Sequence, residues 1–123
     1  MKITFLGHAT LEIQINEFNL LVDPFISGNP MASEINLDDL KPDFILISHA
    51  HQDHTLDVEK LAKDNNSLII SNFEIVSHFQ NIGLNGHPMN HGGKWNFDFG
   101  ELKYVNAIPV SYTHLTLPTN REV

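Results

Sequence analysis

Within six residues, His49-Ala50-His51-Gln52-Asp53-His54, the chain gathers three imidazoles and a carboxylate directly after the apolar run Phe44-Ile45-Leu46-Ile47-Ser48. Neutral imidazole nitrogen and carboxylate oxygen suit zinc, and iron, manganese and nickel accept the same donors. The chemistry open to such a cluster is therefore metal-assisted. In extended backbone, positions 49, 51 and 53 project to one side and His54 turns in from the start of the next element, so two neighbouring cations can share the loop. A solvated histidine-rich turn is the competing reading. The position of the cluster, where a strand should pass into a helix, weighs against it.

Donors of this kind need a rigid scaffold, and the hydrophobic pattern supplies one. Ile3 and Phe5 alternate with polar neighbours, as do Leu11, Ile13 and Ile15, which is the period of half-buried strands. Asn16-Glu17 turns the chain into a strand over 18–22, ended by Asp23-Pro24 because proline cannot continue the ladder. Residues 27–42, with Gly28, Pro30 and Pro42, read as a long loop that either shapes access to the site or only connects. Val58, Leu61 and Ala62 fall at helical spacing and predict a short amphipathic helix ending near Asn65-Asn66. A strand follows at 68–70. Ser71-x-x-Glu74 has the form of a capping box for a second helix, whose apolar face would be Ile75, Val76, Phe79 and Ile82 and whose stop would be Gly83. Trp95, Phe97 and Phe99 alternate as core residues of an extended run, Gly100 turns the chain, and 102–105 resumes it. Strands bracketing helices indicate a layered α/β domain.

At 123 residues the chain holds at most one domain. Its formal charge of −8 disfavours binding to nucleic acid backbones, although a divalent pair would cancel part of that charge locally. Cysteine is absent, so the sequence contains neither a disulfide nor a thiolate metal site. The N-terminal apolar run breaks too early for a signal peptide, and no stretch reaches membrane-spanning length. The expectation is a cytoplasmic protein acting on a small molecule with no membrane partner.

The histidine motif resembles the H-x-H-x-D-H signature of the metallo-β-lactamase superfamily. Further segments carry the likeness: Thr4-Phe5-Leu6-Gly7-His8-Ala9-Thr10, Leu21-Val22-Asp23-Pro24-Phe25, His87-Pro88-Met89-Asn90-His91-Gly92-Gly93 and Phe97-Asp98-Phe99-Gly100. Together they are similar to a bacterial family of metal-dependent hydrolases, the ulaG-like or ytkL-like proteins related to sugar-acid lactonases. The resemblance implies that residues 1–108 form the N-terminal half of a four-layer αββα sandwich with two divalent ions, zinc foremost, at one edge. His49 and His51 would hold the first ion, and Asp53 and His54 the second. Asp53 would also orient the attacking water, and hydrolysis would fall on an ester, lactone or phosphodiester bond. Asp23 would stand behind the ligands and orient them by hydrogen bonds, with an Asx turn at Asp23-Pro24 as the other reading, and the two can hold together. His8, in its Gly-His-Ala-Thr turn, would either face the cleft or serve structure alone. His78, His87 and His91 receive no ligand role.

The resemblance stops at residue 109. There the family carries a histidine that completes the first ion's ligands, and this chain has Pro109. Residues 110–119 translate a nucleotide string resembling a sequencing-library adapter, and proline is what a histidine codon cut after its first base would leave in front of it. Residues 109–123 are therefore expected to be a non-native read-through tail, with His114 no ligand. Each ion keeps two donors from the motif where a catalytic zinc ordinarily has three protein ligands. Weak metal binding, little activity and an aggregation-prone fragment are the expectations for the chain itself. The alternatives are a non-catalytic metal- or partner-binding domain, and a nuclease of the same superfamily.

Overall fold

A computed structural model describes residues 1–90 and 92–105. Six strands form one mixed sheet in the order β1 (Lys2–Gly7), β2 (Thr10–Ile15), β3 (Phe18–Val22), β4 (Phe44–Leu46), β5 (Leu68–Ser71) and β6 (Asn85–Pro88). The first three make an antiparallel meander, whereas β3 to β6 run parallel. Parallel neighbours require crossovers, and these all lie on one face. The first is the 23–43 segment with two short 3-10 turns, Pro30–Ala32 and Leu37–Asp39. The second carries helices α1 (Gln52–Thr55) and α2 (Val58–Asn65), and the third is α3 (Phe73–Asn81). Strands β7 (Lys94–Phe97) and β8 (Gly100–Lys103) pair as a separate hairpin.

Alternation along the strands divides the core in two. Leu21, Ile45, Ile47 and Ile69 point to the helical face and meet Ile26, Ala32, Leu40, Val58, Leu61, Ala62, Ile75 and Phe79. Leu20, Val22, Phe44, Leu46 and Ile70 point the other way and pack with Met89, Phe99, Phe97 and Leu102 from the hairpin side. Central strands apolar on both faces are what a covered parallel sheet requires. The covering thins at the edge: Ile3 and Phe5 of β1, paired with Ile13 and Leu11, remain 57% and 67% exposed on the hairpin side.

Four expectations need correction. α1 begins at Gln52, so Asp53 lies on a helical turn and not in extended register with His49 and His51. Ser71 is the last residue of β5, its hydroxyl donating to Ile47 O at 2.8 Å; the cap of α3 is Asn72, which accepts from Ile75 N at 2.9 Å. The backbone of Ser71 is already committed to the sheet, so the extended residue after it takes the capping role. Ile82 lies beyond the last turn of α3 and is 45% exposed. Trp95 is 54% exposed and rests against the His87 ring, with centroids 4.9 Å apart.

Candidate metal centre

β1, β3 and β4 run in the same direction, so the residues leaving their C-terminal ends share one edge of the sheet. His8 follows β1, Asp23 follows β3, and the histidine loop follows β4. Parallel sheets offer ligand sites at this edge because the connecting loops open there. His8 and Asp23 both hold left-handed backbone, at φ 53° and 47°. For residues other than glycine this conformation costs on the order of 1–3 kcal/mol and persists only where the surroundings enforce it. At Asp23 the enforcement is visible. Its N–H donates to Leu46 O at 2.9 Å, and its carbonyl accepts the Thr10 hydroxyl at 2.8 Å.

The Asp23 side chain is fully buried and organises the loop above it. Oδ1 accepts Ser48 N–H at 2.7 Å, while Oδ2 accepts the Ser48 hydroxyl at 2.6 Å and meets His54 Nδ1 at 2.9 Å. A carboxylate only accepts, so His54 carries its proton on Nδ1 and turns a bare Nε2 outward. Ser48 has one hydroxyl proton, and it is spent on Asp23. The 2.8 Å contact between Ser48 Oγ and His49 Nδ1 is therefore a donation from His49, which leaves its Nε2 bare as well. One buried carboxylate thus sets two imidazoles in the tautomer that offers Nε2 as a ligand.

His49 Nε2 is buried and has no hydrogen-bond partner. Its ring lies 4.5 Å from that of His51 and 4.2 Å from that of His54, centroid to centroid. Burial, followed by the charge of His54, pushes His49 down from 6.5 to about 4, so the ring is neutral at pH 7. Burial pushes the Asp53 carboxyl up, but His54 and the hydrogen bond from His8 outweigh it and hold that group below its ordinary value. Asp53 Oδ2 stands 2.9 Å from His8 Nε2, and its Oδ1 stands 3.7 Å from His54 Nε2. An orphaned nitrogen on His49, a second bare nitrogen on the adjoining His54 and the ionised Asp53 carboxylate beside it fit a divalent cation, since a lone buried acceptor otherwise costs about 1–3 kcal/mol.

All six residues singled out in the sequence, His8, Asp23, His49, His51, Asp53 and His54, meet at this edge. The other histidines do not. His78 is exposed on α3, and His87 packs between Trp95 and Phe97. His91, Pro109 and His114 lie outside the described residues, as does the proposed 109–123 tail. Two supporting residues carried no sequence signal. Buried Asp57 accepts from Ile26 N at 2.6 Å, Ser27 N at 3.0 Å and the Ser27 hydroxyl at 2.5 Å, tying the 23–43 crossover to α2. Tyr104 brings its hydroxyl within 3.1 Å of Ile47 O and 2.9 Å of Ile70 O beneath the histidine loop. Burial, then the charge of Asp23, raises its phenol well above the usual value. Spacing alone reveals neither, because both act on strands or loops far away in sequence.

A mixed sheet with donors converging at the ends of its co-directional strands β1, β3 and β4 defines a metallohydrolase type of fold. Residues 2–113 match the family model described as the beta-lactamase superfamily domain, and the chain belongs to that family. It is 58% identical over 108 residues to a UPF0173 metal-dependent hydrolase of Flavobacterium johnsoniae, covering 88% of this chain and 48% of that protein. A UPF0173 metal-dependent hydrolase of Geobacillus sp. is 44% identical over 107 residues, or 87% of this chain and 47% of the relative. Among solved structures, Igni18, a metallo hydrolase from Ignicoccus hospitalis, superimposes with a TM-score of 0.70 at 27% identity, covering 78% of this chain and 42% of that one. The chain thus spans about half the length of the curated relatives it matches. Among the described residues no helix is long and apolar enough to cross a membrane.

Proposed function

We propose that this chain carries the ion-gripping half of a metal-dependent hydrolase that cleaves an ester, lactone or phosphodiester bond in a small molecule. The observation that carries the reading is the buried, partnerless His49 Nε2, on a ring that lies against those of His51 and His54, with the Asp53 carboxylate in turn beside His54. His49 and His51 would hold one divalent ion, with Asp53 and His54 at a second, and the donor set favours zinc while admitting manganese, iron or nickel. An ion bound there supplies Lewis acidity and brings the pKa of a coordinated water toward neutrality. Asp53, still ionised well below neutral pH, is the base: an oxygen of its carboxylate takes the proton of the attacking water. Asp23 keeps both histidines in the donor tautomer while this happens. No serine or cysteine nucleophile is required.

The test is turnover of p-nitrophenyl esters, simple lactones and bis-p-nitrophenyl phosphate, measured on this chain and on the full-length Flavobacterium johnsoniae relative in parallel. Activity of the relative should vanish with a chelator, return with zinc or manganese, and fall at least about 100-fold when the histidine matching His49 becomes alanine. Tight metal binding with no turnover on any of these bonds would instead mark a non-catalytic metal-binding domain. This chain alone should turn over slowly, because the histidine motif gives each ion only two donors.

A further inference from the structure

The turn after β1 brings a third donor to one of these ions. We infer that His8 is a direct metal ligand, completing with Asp53 and His54 a three-donor site that the histidine motif alone does not contain. The inference rests on the metal reading above. Its geometry is independent of the motif, since His8 arrives from a strand 45 residues away in sequence. One ligand atom from each of His8, Asp53 and His54 lies within 4.8 Å of the other two. Two donors each 2.0–2.1 Å from a tetrahedral zinc sit roughly 3.3 Å apart. His8 Nε2 and Asp53 Oδ2 at 2.9 Å, and His54 Nε2 and Asp53 Oδ1 at 3.7 Å, bracket that spacing.

In the metal-free chain a proton sits between His8 Nε2 and Asp53 Oδ2. A cation takes the place of that proton, which passes to Nδ1 as the neutral ring changes tautomer, where the 40% exposed side chain has access to water. The ring is positioned for this by backbone. Gly7 at φ 105° and His8 at φ 53° close the β1–β2 turn, and Phe25 holds the imidazole edge-on with centroids 5.5 Å apart. His54 is anchored from behind by Asp23, so two of the three donors are fixed before the ion arrives. Three protein donors with a fourth position open to water is the arrangement of a catalytic zinc, whereas His49 and His51 alone contribute two. The first equivalent of metal should therefore settle on His8, Asp53 and His54.

The experiment uses the 123-residue chain with 15N-labelled histidine and one equivalent of 113Cd as the zinc stand-in. Cadmium coupling to the Nε2 nuclei of His8 and His54 is expected. Coupling confined to His49 and His51, or to His54 without His8, overturns the inference. A second measurement is zinc competition against a chromophoric chelator with His8→Asn, a residue that tolerates the left-handed turn. Loss of a ligand should weaken binding more than about 100-fold, beyond the roughly 10–100-fold effect of an orienting neighbour. A loss of about 100-fold or less leaves His8 as a hydrogen-bond partner of Asp53 and overturns the ligand role while the metal reading stands. Failure of the unmutated chain to take up any ion overturns both.

Discussion

Exchanging Asp23 for asparagine turns an acceptor into a donor at almost constant volume, and the consequence can be followed atom by atom. With the amide oxygen retained at the Oδ1 position, the Ser48 N–H bond at 2.7 Å survives. The amide nitrogen then faces Ser48 Oγ and His54 Nδ1, which stood 2.6 Å and 2.9 Å from the carboxylate. His54 relieves the donor-on-donor clash by moving its proton to Nε2. Ser48 now accepts from the amide and sends its own proton to His49 Nδ1, so the His49 proton moves to Nε2 as well. Both ligand lone pairs are lost through one substitution at a residue that touches no ion. Metal affinity should fall about 10–100-fold, equivalent to about 1.4–2.8 kcal/mol, and apo stability by about 1–3 kcal/mol as a buried hydrogen-bond network is compromised. Long-range 15N–1H spectra of the imidazoles report the tautomers, and chelator competition reports the affinity. Native tautomers and native affinity in Asp23→Asn would refute the relay.

The depressed pKa of His49 sets a pH window for the metal-free chain. Below 6.5 the unfolded state binds a proton that the folded ring refuses until about 4, so this stability is complete above 6.5 and is lost as pH falls toward 4. At roughly 1.36 kcal/mol per pH unit the loss approaches about 3 kcal/mol, which urea melts with chelator present should show and His49→Gln should remove. Asn72→Ala should cost about 1 kcal/mol through the lost cap of α3, while Glu74→Ala stays within about 0.5 kcal/mol; equal effects in thermal melts would restore the capping-box reading. Gly86→Ala sets a Cβ 2.5 Å from Val76 Cγ1, a stiff buried side chain, and should destabilise by about 1–3 kcal/mol; an unchanged Tm would show that α3 shifts away freely.

Much of the scaffold is written in short-range pattern. The alternation of Leu11, Ile13 and Ile15 gave β2, and the spacing of Val58, Leu61 and Ala62 gave α2, with Asn66 at φ 53° ending it. The cluster at 49–54 was legible because its donors are adjacent in sequence. What spacing did not convey was partnership across distance. Asp57 looks like any acidic residue beside a helix, yet it binds a crossover 30 residues earlier. The Ser71–Glu74 pattern matched a local rule, but the sheet claimed Ser71 first. Trp95 has a core composition and a surface position because hairpin pairing, not hydrophobicity, decides which side it takes. The Gly-His-Ala-Thr turn left His8 either facing the cleft or serving structure alone; only the direction of β1 relative to β4 brings it to Asp53.

Tyr104 has a bearing on the order of assembly. Its hydroxyl reaches back 57 residues to Ile47, just below the histidine loop. On a ribosome the donors of residues 49–54 emerge well before that anchor does, and closing so long a span is entropically slow compared with forming α2 or α3. For that interval the nascent chain displays imidazoles on an unfinished floor.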